Sequence, residues 1–348
     1  MIERAQQVLA NDVPLASLPL VTLYLTDRCN SRCVTCDYWR HGRTNMTLES
    51  VVSLLPSLSK LGTEVVLLSG GEPLLNPQWV EIARVLRSCA VKLWLLTSGL
   101  SLAKYAVQVV TLFNAVTVSL DGTSRATYET IRGLDAFDNV CSGIRAAAVA
   151  GACVGVRVTV QRANYRELPS FVALADALGA QYVSFLPVDV TNSHAFARSG
   201  DISGGLALEP ADLPHLDQVL TALERDHGDH FQRGFIAESP QKLRRMRQYF
   251  AALCGQEVFP DVRCNAPEFS AVIGAGGRLQ PCFFIPGPPE AAIDIDIETM
   301  LNHPSMATLR RSIRRKERSE CVKCVCSMWR NPESLAADDF LMPRRVNS

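Results

Sequence analysis

Three cysteines, Cys29, Cys33 and Cys36, stand in the run Leu25-Thr-Asp-Arg-Cys-Asn-Ser-Arg-Cys-Val-Thr-Cys-Asp-Tyr-Trp39, directly after an apolar, strand-like stretch. Thiolates are the usual ligands of iron–sulfur clusters. Three of them on one short loop can hold three corners of a four-iron cubane and leave the fourth iron without a protein ligand. A cluster closed by four cysteines suits electron transfer, whereas one with an open iron can bind a small molecule and act on it. Random placement of the 12 cysteines among 348 residues would give this spacing about once in a hundred such chains. Structural zinc is the competing reading, but it takes a closed set of four ligands in paired two-residue spacings. The loop itself offers three cysteines and no histidine.

A second group of thiols lies near the C-terminus: Cys264, Cys282, the pair Cys321-Val-Lys-Cys324, and Cys326. Phe269-Ser-Ala-Val-Ile273, the Gly276-Gly277 turn and Arg278-Leu-Gln-Pro-Cys-Phe-Phe284 read as a hairpin. A helix from Ser305 to Arg318 would then return the chain to the last cysteines. Two separated pairs of thiols can enclose one metal centre, and a zinc ribbon is the alternative. Cys89, Cys141 and Cys153 fall in helix or strand patterns and read as small buried hydrophobes.

The elements that must position these thiols alternate regularly. Apolar strand candidates centre on Leu23, Val66, Leu93, Val118, Val156 and Phe185. Five helical stretches lie between and around them: Thr47 to Leu61, Asn76 to Cys89, Leu102 to Phe113, Phe137 to Ala150 and Tyr165 to Leu178. Strand–helix alternation implies a parallel sheet with right-handed crossovers, and ligands of such sheets gather at the C-terminal strand ends. Six units fit between residue 19 and about 190, too few for a closed eight-unit barrel. The stretch Val188 to Glu209 reads as a loop that would border a substrate cavity, with Asp189, His194 and Asp201 on it. Residues 211–227 and 239–253 read as two helices linking this part to the remainder.

With these motifs in view, the chain resembles the radical S-adenosylmethionine (SAM) enzymes. The cysteine loop looks like their cluster-binding signature, apart from Thr35, where the family usually has an aromatic residue before the third cysteine. Val65-Val-Leu-Leu-Ser-Gly-Gly-Glu-Pro73 resembles the family's glycine-rich turn, and Thr97-Ser98-Gly99 its third-strand terminus. Val116-Thr-Val-Ser-Leu-Asp-Gly122 is similar to its fourth strand. The resemblance implies an α/β fold, a partial (β/α)6 TIM-like barrel with a small C-terminal α+β iron–sulfur domain. The expected division is an extension over 1–18, the barrel over 19–205, a helical linker over 206–260 and the iron–sulfur domain over 261–348. That last part resembles the twitch domain, the short form of the SPASM extension, which holds one auxiliary cluster.

Site roles follow from the same resemblance. Cys29, Cys33 and Cys36 would hold the SAM-binding 4Fe–4S cluster, and Cys264, Cys282, Cys321 and Cys324 an auxiliary 4Fe–4S cluster. Cys326 is a possible substitute for Cys324, and Cys254 a further contender. Gly70, Gly71 and Glu72 would border the methionine amino group of SAM, with glycine needed so that no side chain blocks close backbone approach. Ser119 would contact SAM, Arg132 its carboxylate, and Tyr38 would lie beside the adenine. No acid or base is singled out. Reductive cleavage of SAM would give a 5′-deoxyadenosyl radical that abstracts hydrogen from the substrate. An auxiliary cluster with four cysteine ligands suits net oxidation of a small molecule, as in the aminoglycoside-pathway alcohol dehydrogenases, whose cysteine spacings are similar. Peptide crosslinking or epimerisation is the rival activity; the approximately 20 residues before the barrel leave little room for a leader-binding domain. A non-catalytic iron–sulfur electron carrier is the third reading, and the glycine turn argues against it. A flavodoxin- or ferredoxin-like donor would supply electrons.

Composition is consistent with such an enzyme. The 35 basic and 35 acidic residues cancel, which gives no electrostatic case for nucleic acid or an anionic membrane as partner. The basic run Arg310-Arg-Ser-Ile-Arg-Arg-Lys-Glu-Arg318 reads as a solvated helix face. No apolar stretch has the length of a membrane span, and the N-terminus lacks the order of a signal peptide. Twelve cysteines, many at ligand spacings, point to metal centres in a reducing cytoplasm rather than to disulfides.

Overall fold

The computed structural model describes residues 14–198, 204–291 and 296–330. All six expected strands are present: β1 Leu20–Thr26, β2 Val65–Gly70, β3 Lys92–Thr97, β4 Ala115–Ser119, β5 Val154–Val160 and β6 Tyr182–Pro187. They pair in parallel with their sequence neighbours. Between them run the helices Leu48–Lys60, Trp79–Ser88, Leu102–Leu112, Phe137–Val149 and Leu168–Ala177, each inside the span its sequence pattern predicts. Thr47 caps the first of these, accepting a hydrogen bond from the Ser50 amide. The shorter helix Arg125–Arg132, capped by Ser124, has no counterpart among the expected ones.

The C-terminal hairpin does not form a sheet of its own. Strand β7, Ser270–Ile273, pairs in parallel with β1, placing Leu20 opposite Ser270 and Leu23 opposite Ile273. Strand β8, Leu279–Gln280, then runs antiparallel to β7. The result is one open eight-stranded sheet in the order β6-β5-β4-β3-β2-β1-β7-β8. The boundary expected at 260/261 therefore does not interrupt the sheet. At the other edge, the Val183 amide donates to the Phe235 carbonyl and the Ala237 amide to the Val183 carbonyl. The chain after the helix Leu213–Asp226 thus lies along β6 and shields that edge.

Strand alternation sorts the side chains into two layers. Outward residues such as Val21, Leu23, Val66, Leu68, Val116, Val118, Val156 and Val158 pack against the helices in the main core. Inward residues Leu20, Val65, Leu67, Trp94 and Ala115, nearer the N-terminal strand ends, form a separate floor with Phe283 and Met328 from the C-terminal segment. Further along the strands the inward positions Thr117, Ser119, Arg157, Thr159 and Leu186 are half-exposed, while the outward ones are buried. The barrel interior is thus plugged below and open above.

One inward contact tests this layering. Tyr182 lies over Gly155 on the neighbouring strand, and its hydroxyl is 2.7 Å from that of Thr117. A Cβ on Gly155 would fall 1.9 Å from the tyrosine ring. Gly155→Ala is therefore expected to lower stability by about 1–3 kcal/mol in urea denaturation. Adding Tyr182→Leu should recover part of that loss, because the two substitutions share one space.

Candidate active site

The loop Cys29–Cys36 follows β1 and is fixed largely by its backbone. The Arg32 amide donates to the Arg132 carbonyl at 2.9 Å and the Val34 amide to Ile131 at 3.0 Å, so the loop hangs on the end of the helix Arg125–Arg132. Gly133 ends that helix with φ 69°, and a Cβ there would meet the Arg32 carbonyl oxygen at 2.5 Å. The three thiols are half-buried and unbridged. Burial pushes Cys29 up to about 11 and Cys36 to about 12, so both are protonated without metal and must lose protons to ligate it.

The glycine turn lies against this loop. The Gly71 amide donates to the Thr26 carbonyl and the Glu72 amide to that of Arg28, both at 2.8 Å. A Cβ on Gly70, whose φ is 118°, would sit 2.2 Å from the Thr26 oxygen; one on Gly71 would sit 2.2 Å from that of Arg28. Room for a ligand is the reason for glycine that the sequence alone offers. In the structure the cysteine loop itself already demands both glycines.

The Glu72 side chain points into the protein. It is fully buried. Its carboxylate accepts from the Ser98 amide and hydroxyl, each at 2.7 Å, from the Thr97 hydroxyl at 2.8 Å and from the Leu74 amide at 3.1 Å. Only its backbone can border a ligand at the turn. The carboxylate instead ties the end of β2 to the Thr97-Ser98-Gly99 end of β3. Arg132 is placed beside the cysteine loop: its Nη1 donates to the Cys33 sulfur at 3.1 Å, and its Nε lies 2.8 Å from the Asp121 carboxylate. Burial works against its charge, and Asp121 and Cys33 more than offset that. Ser119 faces the barrel interior at the end of β4, half-exposed. Tyr38 is half-buried and edge-on to Tyr24 of β1, with ring centroids 6.1 Å apart.

The C-terminal thiols come together. Cys264, Cys282, Cys321, Cys324 and Cys326 line one cavity with Phe283 and Met328, the residues that plug the barrel floor. Burial pushes Cys282 to about 12, and Cys321 and Cys326 to about 11. The Cys324 thiol donates to the Cys326 carbonyl at 3.1 Å. Cys254 is elsewhere, donating to the Leu208 carbonyl. Of the other thiols, Cys141 is buried, whereas Cys89 and Cys153 are only partly so, less than their sequence patterns imply. Among the described residues, no three His, Cys, Asp or Glu side chains converge as ligands of a single metal ion.

The loop after β6 clasps both cysteine sets. The Phe196 carbonyl accepts from the Asp37 amide at 3.0 Å and from the Cys36 thiol at 3.5 Å. Arg198, buried, donates from Nε to the Thr35 carbonyl at 2.9 Å. On the other side the Asn192 amide group donates to the Phe284 carbonyl at 2.7 Å, and the Phe196 and Phe284 rings meet edge-on. Phe196 and Ala197 hold positive φ values of 60° and 55°, a conformation costly for non-glycine residues. Asp189 is buried and accepts from the Thr191 and Asn192 amides, which makes it a turn-former in this clasp; His194 is exposed, and Asp201 lies outside the described residues. The sequence reading marks the loop but misses Asn192, Phe196 and Arg198, since their contacts are all long-range. It also misses Arg157, whose signal is a charged residue in the apolar strand Val156-Arg-Val158.

The comparisons with known proteins agree with this geometry. Residues 23–175 match the radical SAM superfamily. A probable GTP 3′,8-cyclase of Pyrococcus abyssi is 31% identical over 245 residues, covering 68% of this chain and 73% of that one. An Fe-coproporphyrin III synthase of Methanosarcina barkeri is 31% identical over 228 residues, covering 63% and 54%. An AdoMet-dependent heme synthase of the same organism is 29% identical over 170 residues, and the chain spans only 48% of its length. Among solved structures, Streptococcus suis SuiB bound to S-adenosylmethionine superposes with a TM-score of 0.65 at 14% identity, covering 94% of this chain and 76% of that one. Native anSMEcpe with bound AdoMet gives 0.64 at 16% identity, covering 88% and 89%. The fold and the cysteine loop at its mouth define an open α/β partial barrel. The chain belongs to the radical SAM superfamily, and membership implies one 4Fe–4S cluster and SAM. The residues fit both: three soft, unbridged thiols with no histidine beside them on the loop, under an open polar interior. No helix among the described residues is long and apolar enough to cross a membrane.

Glu72 gives the most direct test of the site's frame. Burial raises its pKa against the pull of Ser98, Thr97 and Leu74. The folded state therefore holds its proton more tightly than the unfolded chain, and this group makes stability fall as pH rises from the ordinary carboxylate range through the raised value. Glu72→Gln should remove that slope and, at neutral pH, cost about 2–4 kcal/mol, because an amide cannot accept from all of these donors. Urea midpoints across pH 4–8 for both proteins check both effects.

Proposed function

We propose that this chain is a radical SAM oxidoreductase that dehydrogenates a small molecule and uses a second, auxiliary four-iron cluster to take up the electron released. The observation that carries the reading is the gathering of the C-terminal cysteines around one cavity that abuts the barrel floor. Cys29, Cys33 and Cys36 would hold the first cluster; Cys264, Cys282, Cys321 and either Cys324 or Cys326 the second, in a twitch-like segment. When bound, the first cluster and SAM supply a 5′-deoxyadenosyl radical, which takes a hydrogen atom from a substrate carbon.

The chain's own residues do the rest. Gly70 and Gly71 keep the turn flush against the cysteine loop, and Glu72 fixes that turn to β3. Arg132 lies against the Cys33 sulfur, where a cation offsets thiolate charge. The half-exposed inner residues of β4 and β5 leave space for the substrate, and the floor formed by Trp94, Phe283 and Met328 keeps water out from below. Oxidation of an alcohol to a ketone would then balance: the carbon gives one hydrogen atom, the hydroxyl oxygen gives its proton to solvent, and the one electron left on the substrate radical is what an auxiliary cluster would take up. A flavodoxin- or ferredoxin-like protein would reduce the first cluster and reoxidise the second.

The rival activity is peptide modification. The solved SuiB and anSMEcpe structures include forms bound to a precursor peptide and to a Cys-containing peptide. At 14% and 18% identity those likenesses speak for the fold alone. A screen of pathway metabolites against peptides, with deuterium transfer into 5′-deoxyadenosine as readout, separates the two; label arriving only from a peptide would overturn the small-molecule reading. An absence of SAM cleavage after reduction would leave only the electron-carrier reading.

Two measurements test the cluster assignment. Anaerobically reconstituted protein should contain about eight irons per chain, and about four would remove the auxiliary cluster. Replacing Cys29, Cys33 and Cys36 together with alanine should abolish reductive SAM cleavage while about four irons remain.

A further inference from the structure

Arg157 occupies an unusual position for a cation. It lies in the middle of β5, between Val156 and Val158, which are both fully buried on the outer face, so its side chain enters the barrel. Strand register sets it beside Ser119 of β4 and Ser184 of β6, both inward-facing. Its Nε is shut off from water and has no hydrogen-bond partner. Among the described residues its guanidinium makes no hydrogen bond and no ion pair. Glu238, which reaches β6, is already engaged by the Ser184 hydroxyl, the Phe185 amide and Lys242. The other inward cation at the site, Arg132, has its own carboxylate in Asp121.

A guanidinium whose Nε is buried without a partner, and which has no counter-charge, leaves hydrogen-bonding capacity unmet, and its planar fork matches a carboxylate or a phosphate. We propose that Arg157 anchors an anionic group of the substrate, a carboxylate or phosphate, inside the barrel. This deepens the proposed function and rests on it for the identity of the open interior as the substrate site. In the proposed site the methionine end of SAM has partners of its own, Arg132 for its carboxylate and the Gly70-Gly71 turn for its amino group. The turn Gly70-Gly71 ends β2, three strands away in the order β5-β4-β3-β2, about 14 Å along the sheet. An anion at Arg157 would therefore leave the rest of the substrate to extend across the sheet toward the SAM turn.

The test uses the reconstituted full chain with SAM present. Glycerol 3-phosphate and succinate, probing phosphate and carboxylate respectively, are titrated calorimetrically into wild type, Arg157→Lys and Arg157→Gln, all matched for iron content and thermal midpoint. At least one anion should bind the wild type, with affinity falling tenfold or more in Arg157→Gln and less in Arg157→Lys. If Arg157→Gln does not fold, the lysine variant carries the comparison, since it keeps the charge but loses the fork. Equal affinity in wild type and variants, or no binding of either anion by the wild type at tens of millimolar, overturns the inference. So does a change confined to the auxiliary cluster's electron paramagnetic resonance signal, which would mean that the guanidinium serves the cysteines instead. Reductive SAM cleavage by the wild type is measured in the same preparations. Cleavage without anion binding defeats the anchor alone; anion binding lost in Arg157→Gln without cleavage in the wild type defeats the enzymatic reading alone.

Discussion

The backbone of the three-cysteine loop is held by hydrogen bonds from the surrounding protein, and the arrangement of the fold depends on that constraint. That constraint runs through the structure. The helix Arg125–Arg132 takes two loop amides, the glycine turn fits against the carbonyls of Thr26 and Arg28, and the loop after β6 receives the Asp37 amide. Each comes from a different part of the sheet, so the cysteine loop is a meeting point of the fold rather than an appendage. The glycines at 70, 71 and 133 are the places where backbone meets backbone too closely for a side chain.

The second consequence concerns coupling. Asn192, Phe196 and Arg198 join the first cysteine loop to Phe284, two residues past Cys282. Strand β7 joins the C-terminal segment to β1, whose end opens the first cysteine loop. The two thiol groups are thus connected both through the sheet and through the loop after β6. A segment that reads as a separate module in the sequence is built into the wall of the first. The positive φ values at Phe196 and Ala197 mark the conformational strain accepted where the clasp turns between the sites.

Electrostatics follow the same geometry. Cys29, Cys36 and Cys282 are buried enough that their thiols ionise well above neutrality without metal, and the nearby cations are few and specific. Arg132 touches the Cys33 sulfur and is itself held by Asp121, which also accepts the Thr159 amide at the end of β5. Arg198 backs the loop from the opposite side through a carbonyl. Arg157 stands apart from both as a cation whose partner the described chain does not provide.

The local code of the sequence determined the six parallel strands, the five longer helices between and around them, the hairpin at Ser270–Gln280 and the cysteine loop. Period, capping and turn chemistry act over a few residues and are written there directly. It also marked Gly70 and Gly71, although for a different steric reason than the structure reveals. Tertiary structure alone decided that β7 extends the barrel sheet, that Cys326 joins the C-terminal cavity while Cys254 does not, and that Glu72 turns inward. It likewise aimed Arg157 into the barrel without a partner. These outcomes depend on contacts between residues tens to hundreds of positions apart, whose energies arise only when the chain has closed on itself, and no short-range pattern encodes them.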